Sequence, residues 1–543
     1  MNKFHLIRFF LFFSITKFKV VNNISEVTLT IKGKGNQYIL SSQKSYETTE
    51  FTELPDEVII NDIVQNETNT KEYYLSEEIN YVIMRWINTQ VTSCDGMFNK
   101  MKNITSVDFS KFDSSKVIKA SYMFAECNSL IYINLKGFNT SQITSMKKMF
   151  YYCQSLEYLD LSDFDTSSVN NMNLMFQNCY SLKYVDLSSF DTSLVTDMNY
   201  MFQSCRSLKS LNLSNFYTPS LQEISNMFYG CYSLEYLNIE HITTSKVKSL
   251  ASLFYNCYSL KTLNLSHFDT SQVTSINNMV SNCTSLLYLD LRSFDTSKVQ
   301  DATLAFAYCN SLVYLNMKNF DLNSVTIFEK FIASTNEYLI YCINEEKISE
   351  DIKTQLSRNV NMRNECENSC FNDNDYKLIP SKRECIEQCK NDEASNYEFN
   401  NICYEQCPNY TSIISENDFI CKEELYCGDY YYFYEKNKCL NYIPKGYYLN
   451  NTYLNILYEC KNKCSECNLE STNNNLCISC NKENGFYPKE FDNSNIDTFV
   501  NCYNEEPNGY YFDKDENIFK AMTNYIEEST NLKENTEKIK VKD

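Results

Sequence analysis

Residues Ser155 to Ser193, SLEYLDLSDFDTSSVNNMNLMFQNCYSLKYVDLSSFDTS, say nearly the same thing twice, and the second copy begins 26 positions after the first. The Phe-Asp-Thr-Ser phrase, or a variant of it, starts at Phe112, Phe138, Phe164, Phe190, Phe216, Ile242, Phe268, Phe294 and Phe320, without one insertion. Spacing this strict means that no unit tolerates a loop. Within a unit, Leu156, Leu159 and Leu161 recur as Leu182, Val185 and Leu187, and as Leu208, Leu211 and Leu213. That triplet suits a short strand. The return segment carries Val169, Met172, Met175, Phe176 and Cys179, at spacings of 3, 3, 1 and 3, which suits one or two helical or 3-10 turns. One copy cannot bury its own apolar face, whereas stacked copies bury a continuous one.

L-x-x-L-x-L followed by a return is the pattern of a leucine-rich repeat. The units resemble those of the BspA-like leucine-rich-repeat surface proteins, F-D-T-S-x-V-x-x-M-x-x-M-F-x-x-C-x-S-L-x-x-L-x-L-S, over residues 97 to about 330. The resemblance implies an extracellular or cell-surface protein associated with adhesion and host or cell contact. It identifies no ligand. Met101 stands where later units have Cys, "FYTPS" and "ITTS" replace the phrase in the middle, and "FDLNS" closes the array at Phe320. End units are expected to be atypical because they cap; the middle irregularity is expected to mark a bend or a contact. The expected fold is a repeat solenoid of short parallel strands with helical or 3-10 returns, a β-rich N-terminal cap and small disulfide-rich C-terminal modules.

At 543 residues the chain is too long for one compact core. Residues 1–22 read as an imperfect signal peptide, with a short apolar core from Phe9 to Ile15 that Arg8 interrupts and no clean small-x-small cleavage site after it. Residues 23–93 read as the β-rich cap: "SEVTLTIKG" alternates Val27, Leu29 and Ile31, and "PDEVIINDI" and "INYVIMRWI" supply two more strands. The solenoid is assigned to 94–335, a linker to 336–365, a cysteine-rich disulfide region to 366–505 and a weakly structured polar tail to 506–543. No later stretch reaches the ~20 apolar residues of a transmembrane span. Nine sequons, including Asn212, Asn264 and Asn282, are consistent with an exported glycoprotein.

The net charge of −20 argues against nucleic-acid partners, because phosphate recognition needs clustered Lys and Arg. Only three histidines occur, His5, His241 and His267, so no Ser/His/Asp constellation assembles and no enzyme is expected. No cofactor and no metal are expected either.

The 25 cysteines form two populations. Cys127, Cys153, Cys179, Cys205, Cys231, Cys257, Cys283 and Cys309 recur among Met and Phe. They are read as a ladder of buried free thiols. Rungs about 4.8 Å apart fall inside the disulfide Cα window, so bridging is the alternative, but a regular ladder holds the Cβ vectors parallel. The second population is Cys366, Cys370, Cys385, Cys389, Cys403, Cys407, Cys421, Cys427, Cys439, Cys460, Cys464, Cys467, Cys477, Cys480 and Cys502. In a secreted chain this crowding reads as a disulfide framework, with a zinc ribbon as the alternative for the Cys-x2-Cys pairs. Fifteen is odd, and Cys342 makes sixteen, so Cys342 is expected to pair with the tail. The run from Cys464 to Tyr487 resembles furin-like or growth-factor-receptor-type cysteine-rich modules.

The strand face is the candidate binding site. If the Leu triplet points inward, then alternation turns Tyr132, Tyr158, Tyr184, Tyr236, Tyr288 and Tyr314 outward, beside Asn134, Asp160, Asp186, Asn238 and Asp290. Aromatics flanked by amides and carboxylates suit protein or glycan recognition. The structural alternative is that Tyr and Asn simply fit an exposed pleated surface. Asp and Thr of the repeated phrase are expected to make turns, with a Ca²⁺-binding Asp column as the alternative. The expected function is binding or adhesion at the cell surface by the sheet face; a coat or assembly protein and a carboxylate hydrolase are the alternatives.

Overall fold

The computed structural model describes residues 24–43, 50–358, 361–366 and 376–407 (without 383, 400 and 401) and, beyond these, separate strands and single residues up to 521. The expected signal peptide, 1–22, lies outside the described residues.

The N-terminal strands are β1 (Ser25–Lys32), β2 (Gly35–Tyr38), β3 (Glu57–Ile60), β4 (Ile63–Val64), β5 (Glu72–Leu75), β6 (Ile79–Trp86) and β7 (Ile104–Lys111). β4-β3-β6-β1-β7 form an antiparallel sheet in that order, and β7 then pairs in parallel with β8 (Tyr132–Asn134). β7 is therefore both the last strand of this sheet and the first rung of the repeats. An open rung would expose unpaired backbone groups, and β1 occupies that edge. Val27, Leu29 and Ile31 alternate into the core with no exposure. Trp86 packs edge-on against Phe112, with ring centroids 5.6 Å apart.

The rungs continue as β9 (Tyr158–Asp160), β10 (Tyr184–Asp186), β11 (Ser210–Asn212), β12 (Tyr236–Asn238), β13 (Tyr288–Asp290) and β14 (Tyr314–Met317). Pairing is parallel and in register, Tyr158 opposite Tyr184 and Tyr288 opposite Tyr314. The chain is a β-solenoid. The return segments are not helical: each is a run of turns. Bonds three residues back, such as Met149 N–H to the Met146 carbonyl (3.2 Å), alternate with bonds to the next rung, such as Lys148 N–H to the Asn173 carbonyl (3.0 Å). Two residues per unit adopt left-handed backbone, for example Lys148 (φ 54°) and Tyr152 (φ 59°), which stops any helix from propagating. The expected helical or 3-10 return is thus present as single 3-10-type bonds, which the second ladder of inter-rung bonds keeps from running on into a helix.

Two aromatic columns fill the core. Phe124, Phe150, Phe176, Phe202, Phe228 and Phe254 stack with centroids between 5.3 and 5.9 Å apart. Phe138, Phe164, Phe190 and Phe216 form the second, which Ile242 interrupts.

Residues 336–365 are not a linker. β15 (Ile340–Ile343) and β16 (Arg363–Asn364) extend the parallel sheet, and helix α1 (Glu350–Ser357) lies between them. Ser349 caps α1, its Oγ accepting the Ile352 N–H, and Ile352 and Leu356 are buried in the core. β1 therefore pairs with the first rung, and at the other end the sheet closes on β16 with α1 packed into the core.

The cysteine-rich region is a second ladder, made of β17 (Lys377–Ile379), β18 (Glu384–Ile386), β19 (Tyr397–Phe399), β20 (Ile402–Tyr404), β21 (Thr411–Ser415) and β22 (Ile420–Glu423). Consecutive strands form antiparallel hairpins, joined by parallel pairing of β17 with β20 and of β19 with β22. The motif repeats in β23 (Tyr431–Phe433), β24 (Lys438–Leu440), β25 (Tyr447–Asn451) and β26 (Ile456–Glu459). Disulfides link Cys342 to Cys366, Cys389 to Cys403 and Cys407 to Cys421, with Cα separations of 4.5, 5.3 and 5.6 Å. Cys385 is also bridged. Cys370, Cys427, Cys460, Cys467 and Cys477 lie outside the described residues, and Cys439, Cys464, Cys480 and Cys502 are described only as strand backbone. Within 506–543, Tyr510–Asp513 and Ile518–Ala521 form an antiparallel hairpin.

Candidate functional site

The tyrosine column does point away from the solenoid core, yet the protein covers much of it with its own tail. Leu378 of β17 clusters with Val313, Tyr314 and Cys342, and Tyr288 packs against that cluster. Phe399 and Cys421 cluster with Tyr236. Further back, β24 lies against β10. The hairpin ladder therefore returns along the parallel sheet from its last rungs toward its first. Tyr184, Tyr236 and Tyr314 are only 5%, 4% and 1% exposed, which corrects the expectation of an open face at these rungs. Tyr132 remains 50% exposed and Tyr158, stacked 5.4 Å from Tyr184, is half-buried. Burial pushes the Tyr288 phenol well above its ordinary pKa, the adjacent Asp290 carboxylate adding to the effect.

The polar column has a structural job in every unit. Oδ1 of Asn134, Asp160, Asp186, Asn238 and Asp290 accepts the backbone N–H two residues on, at 3.2, 3.0, 3.0, 3.1 and 3.1 Å. These Asx turns end each strand. Asp186 is 3% exposed. The column is a turn ladder.

The repeated phrase works the same way. Asp165 Oδ1 accepts from both the Ser167 hydroxyl (2.6 Å) and its N–H (3.1 Å), and these two bonds hold its carboxyl below the usual aspartate range. Thr166 Oγ donates to the Asp191 carbonyl and accepts the Asp191 N–H, both at 2.8 Å, so each Thr fastens its unit to the next. Among the described residues no group of three or more His, Cys, Asp or Glu could hold a metal ion.

The ladder cysteines from Cys127 to Cys309 are free and buried, as is Cys94. Each thiol from Cys127 to Cys309 donates to a carbonyl of the preceding rung, Cys179 to Phe150 at 3.1 Å and Cys205 to Phe176 at 3.3 Å. Burial pushes the Cys179, Cys231 and Cys309 thiols up to about 12, so they stay protonated and unreactive.

A second surface escaped the sequence reading. The positions flanking each ladder cysteine form a facet where the return segment meets the strand. Tyr232 and Tyr258 stack there at 5.0 Å, and Tyr229 meets Tyr255 edge-on at 5.0 Å. The Arg206 guanidinium lies over the Tyr180 ring at 4.3 Å and the Tyr232 ring at 5.4 Å. Ser207 and Ser259 hydroxyls donate to the Tyr180 and Tyr232 carbonyls, at 2.7 and 2.8 Å, and fix the backbone that carries these rings. Arranging the sequence by unit around each cysteine, rather than along the strand alone, exposes this column.

Elsewhere, a cleft of about 250 Å³ is lined by Glu50, Glu53, Asp95 and Lys119, smaller than the ~300–1,000 Å³ usual for small-molecule sites. His267 lies edge-on to Phe268, and burial lowers its pKa. Among the described residues no helix is long and apolar enough to cross a membrane.

Two solved structures resemble the chain. A leucine-rich repeat protein from Bacteroides ovatus is 17% identical, covering 48% of this chain and 89% of its own, with a TM-score of 0.20. A leucine rich cell surface protein from Faecalibacterium prausnitzii is 14% identical, covering 46% of this chain and 87% of its own, with a TM-score of 0.18. The solenoid assignment rests on this chain's own strands and register. No curated protein matches the chain. The family described as "Mycoplasma protein of unknown function, DUF285" matches residues 61–157, 126–237 and 222–340, together more than half of the chain. This chain belongs to the DUF285 family.

Proposed function

We propose that this protein works outside the cell or at its surface as a non-enzymatic binding protein, recognising a protein or a glycan. The observation that carries the reading is the pair of ladders: an in-register solenoid with a disulfide-braced hairpin ladder laid along it. Bridges such as Cys342–Cys366 persist in oxidising compartments, which supports an exported protein. A rigid scaffold that holds side chains in fixed register suits recognition. The repeated carboxylates are engaged in turns, as Asp160 and Asp165 illustrate, which argues against hydrolase chemistry. The finer likenesses, to BspA-like surface proteins and to furin-like modules, agree with this reading.

On the sheet face, Tyr132 with Asn134 and Tyr158 with Asp160 is the site proposed for contact, because Tyr132 keeps half of its surface exposed. A coat protein that stacks end to end is disfavoured at the N-terminal end, where β1 pairs with the first rung. The test exposes full-length oxidised protein to arrays of extracellular proteins and of glycans. Binding to at least one array is expected, and weaker binding by the Tyr132→Ala/Tyr158→Ala double variant. Two blank arrays would remove the reading; full binding by the double variant would remove the site.

A further inference from the structure

The chain carries 69 acidic residues, but the facet around the ladder cysteines carries none from Cys153 to Cys309. The two positions before each cysteine and the one after hold Tyr, Gln, Asn, Ser, Gly, Ala and Thr, with one charge, Arg206. We propose that this facet is a protein-docking surface, and that its partner presents a neutral polar patch centred on a carboxylate that pairs with Arg206. The proposal rests on the reading of the chain as a binding protein and adds a surface distinct from the sheet face.

Composition supports a protein occupant. Tyr, Ser, Gly and Asn with Arg at the centre is the chemistry of antibody paratopes, where rigid aromatics supply contact area and short polar groups adapt. Tyr and Arg are also enriched in interface hot spots, and charged residues are depleted from interface cores. The facet is accessible: Arg206 and Tyr258 are exposed, and Tyr151, Tyr180, Tyr232 and Tyr255 are partly buried with some surface open to solvent. From Cys153 to Cys283 it runs five rung spacings, about 24 Å, which suits a standard interface of roughly 800 Å² per partner.

Preorganisation supports the carboxylate. Arg206 is already held between the Tyr180 and Tyr232 rings, so little side-chain freedom is lost on binding. Its guanidinium fork fits a carboxylate in bidentate geometry. Gly230 beside it adopts left-handed backbone (φ 72°), and a Cβ there would crowd Ser204 Oγ at 3.2 Å and touch the Tyr232 ring at 3.4 Å.

The test selects a phage-displayed random peptide library on the full-length oxidised protein. Enriched peptides are expected to carry Asp or Glu among aromatic and neutral polar residues. Their affinity should fall on the order of 30-fold with Arg206→Ala. It should fall less with Arg206→Lys, which keeps the charge and loses the fork, and should not change with Tyr132→Ala. Arg206 is exposed, so unchanged thermal midpoints verify that the variants fold. No enrichment, or peptides that bind Arg206→Ala at full strength, would overturn the proposal. An array glycan lost in Arg206→Ala would overturn the partner class. Array partners that bind wild type and Arg206→Ala equally would remove the facet while leaving the binding reading intact, whereas blank arrays remove that reading itself.

Discussion

Two ladders run side by side in this molecule, and cysteine does opposite work in them. In the solenoid, Cys127 to Cys309 recur at a spacing that disulfides tolerate, yet none is bridged and each thiol donates to a carbonyl of the preceding rung. In the hairpin ladder, bridges close at comparable Cα separations, 5.3 Å for Cys389–Cys403. Distance does not separate the two cases; what surrounds the residue does. The solenoid has a continuous apolar interior, so a small side chain with one weak donor completes its packing. The hairpins are short and cannot bury enough surface by themselves, so covalent links substitute for a core.

Reduction should break that comparison most visibly. Dithiothreitol is expected to unfold the hairpin ladder, leave the solenoid folded and uncover Tyr184, Tyr236 and Tyr314. Hydrogen exchange with alkylation mass spectrometry reads this: tail cysteines label without denaturant, while Cys127 to Cys309 label only after denaturation. Loss of solenoid protection on reduction would mean that the bridges support both ladders. Next in size, Phe202→Ala removes the middle of the stack between Phe176 and Phe228 and should destabilise the solenoid by about 3–5 kcal/mol. Denaturant unfolding checks it, and the tail's disulfide pattern should be unaltered.

Cys179→Ala sharpens the contrast on the thiol itself. It should cost about 1 kcal/mol by removing one of the two donors to the Phe150 carbonyl, which keeps the Cys153 N–H, with no change in sensitivity to reductant. A loss that appears only under oxidising conditions would indicate a hidden bridge.

The stacking direction, the strand residues and the turns were all legible in residues 155–193, because each follows from spacing that repeats without insertion. The return backbone was not. Its left-handed positions hold Lys148, Leu174, Tyr200, Asn226 and Ser252 in successive units, so no residue type marks them; inter-rung bonds impose the conformation. The covered face was also illegible, since Leu378 meets Tyr314 and Phe399 meets Tyr236 across long stretches of chain. Nor does composition distinguish a linker from rungs: Ile340 and Tyr341 became strand because β14 offered an edge. Alternation correctly oriented Tyr132 to Tyr314, but orientation gives exposure only where nothing else docks.

The smallest expected effect separates turn chemistry from charge. The Asp165 carboxyl is held below its ordinary value of 3.8 by bonds from Ser167, the hydroxyl first and the backbone N–H second. Asp113 and Asp295 are lowered in the same way by Ser115 and Ser297. A carboxylate with a lowered folded pKa adds stability above its unfolded value, and that stability disappears as pH falls through the folded one. Solenoid melting temperature should therefore drop as pH passes below about 4. The chain contains its own control: Asn139 occupies the equivalent position one unit earlier, and its Oδ1 accepts the Ser141 N–H at 3.0 Å without titrating. Asp165→Asn should keep the turn, change stability little at neutral pH and flatten the acid decline, as thermal melts across pH 2–7 would show. A large loss at pH 7 would mean that the negative charge, rather than the turn geometry, is what this position supplies.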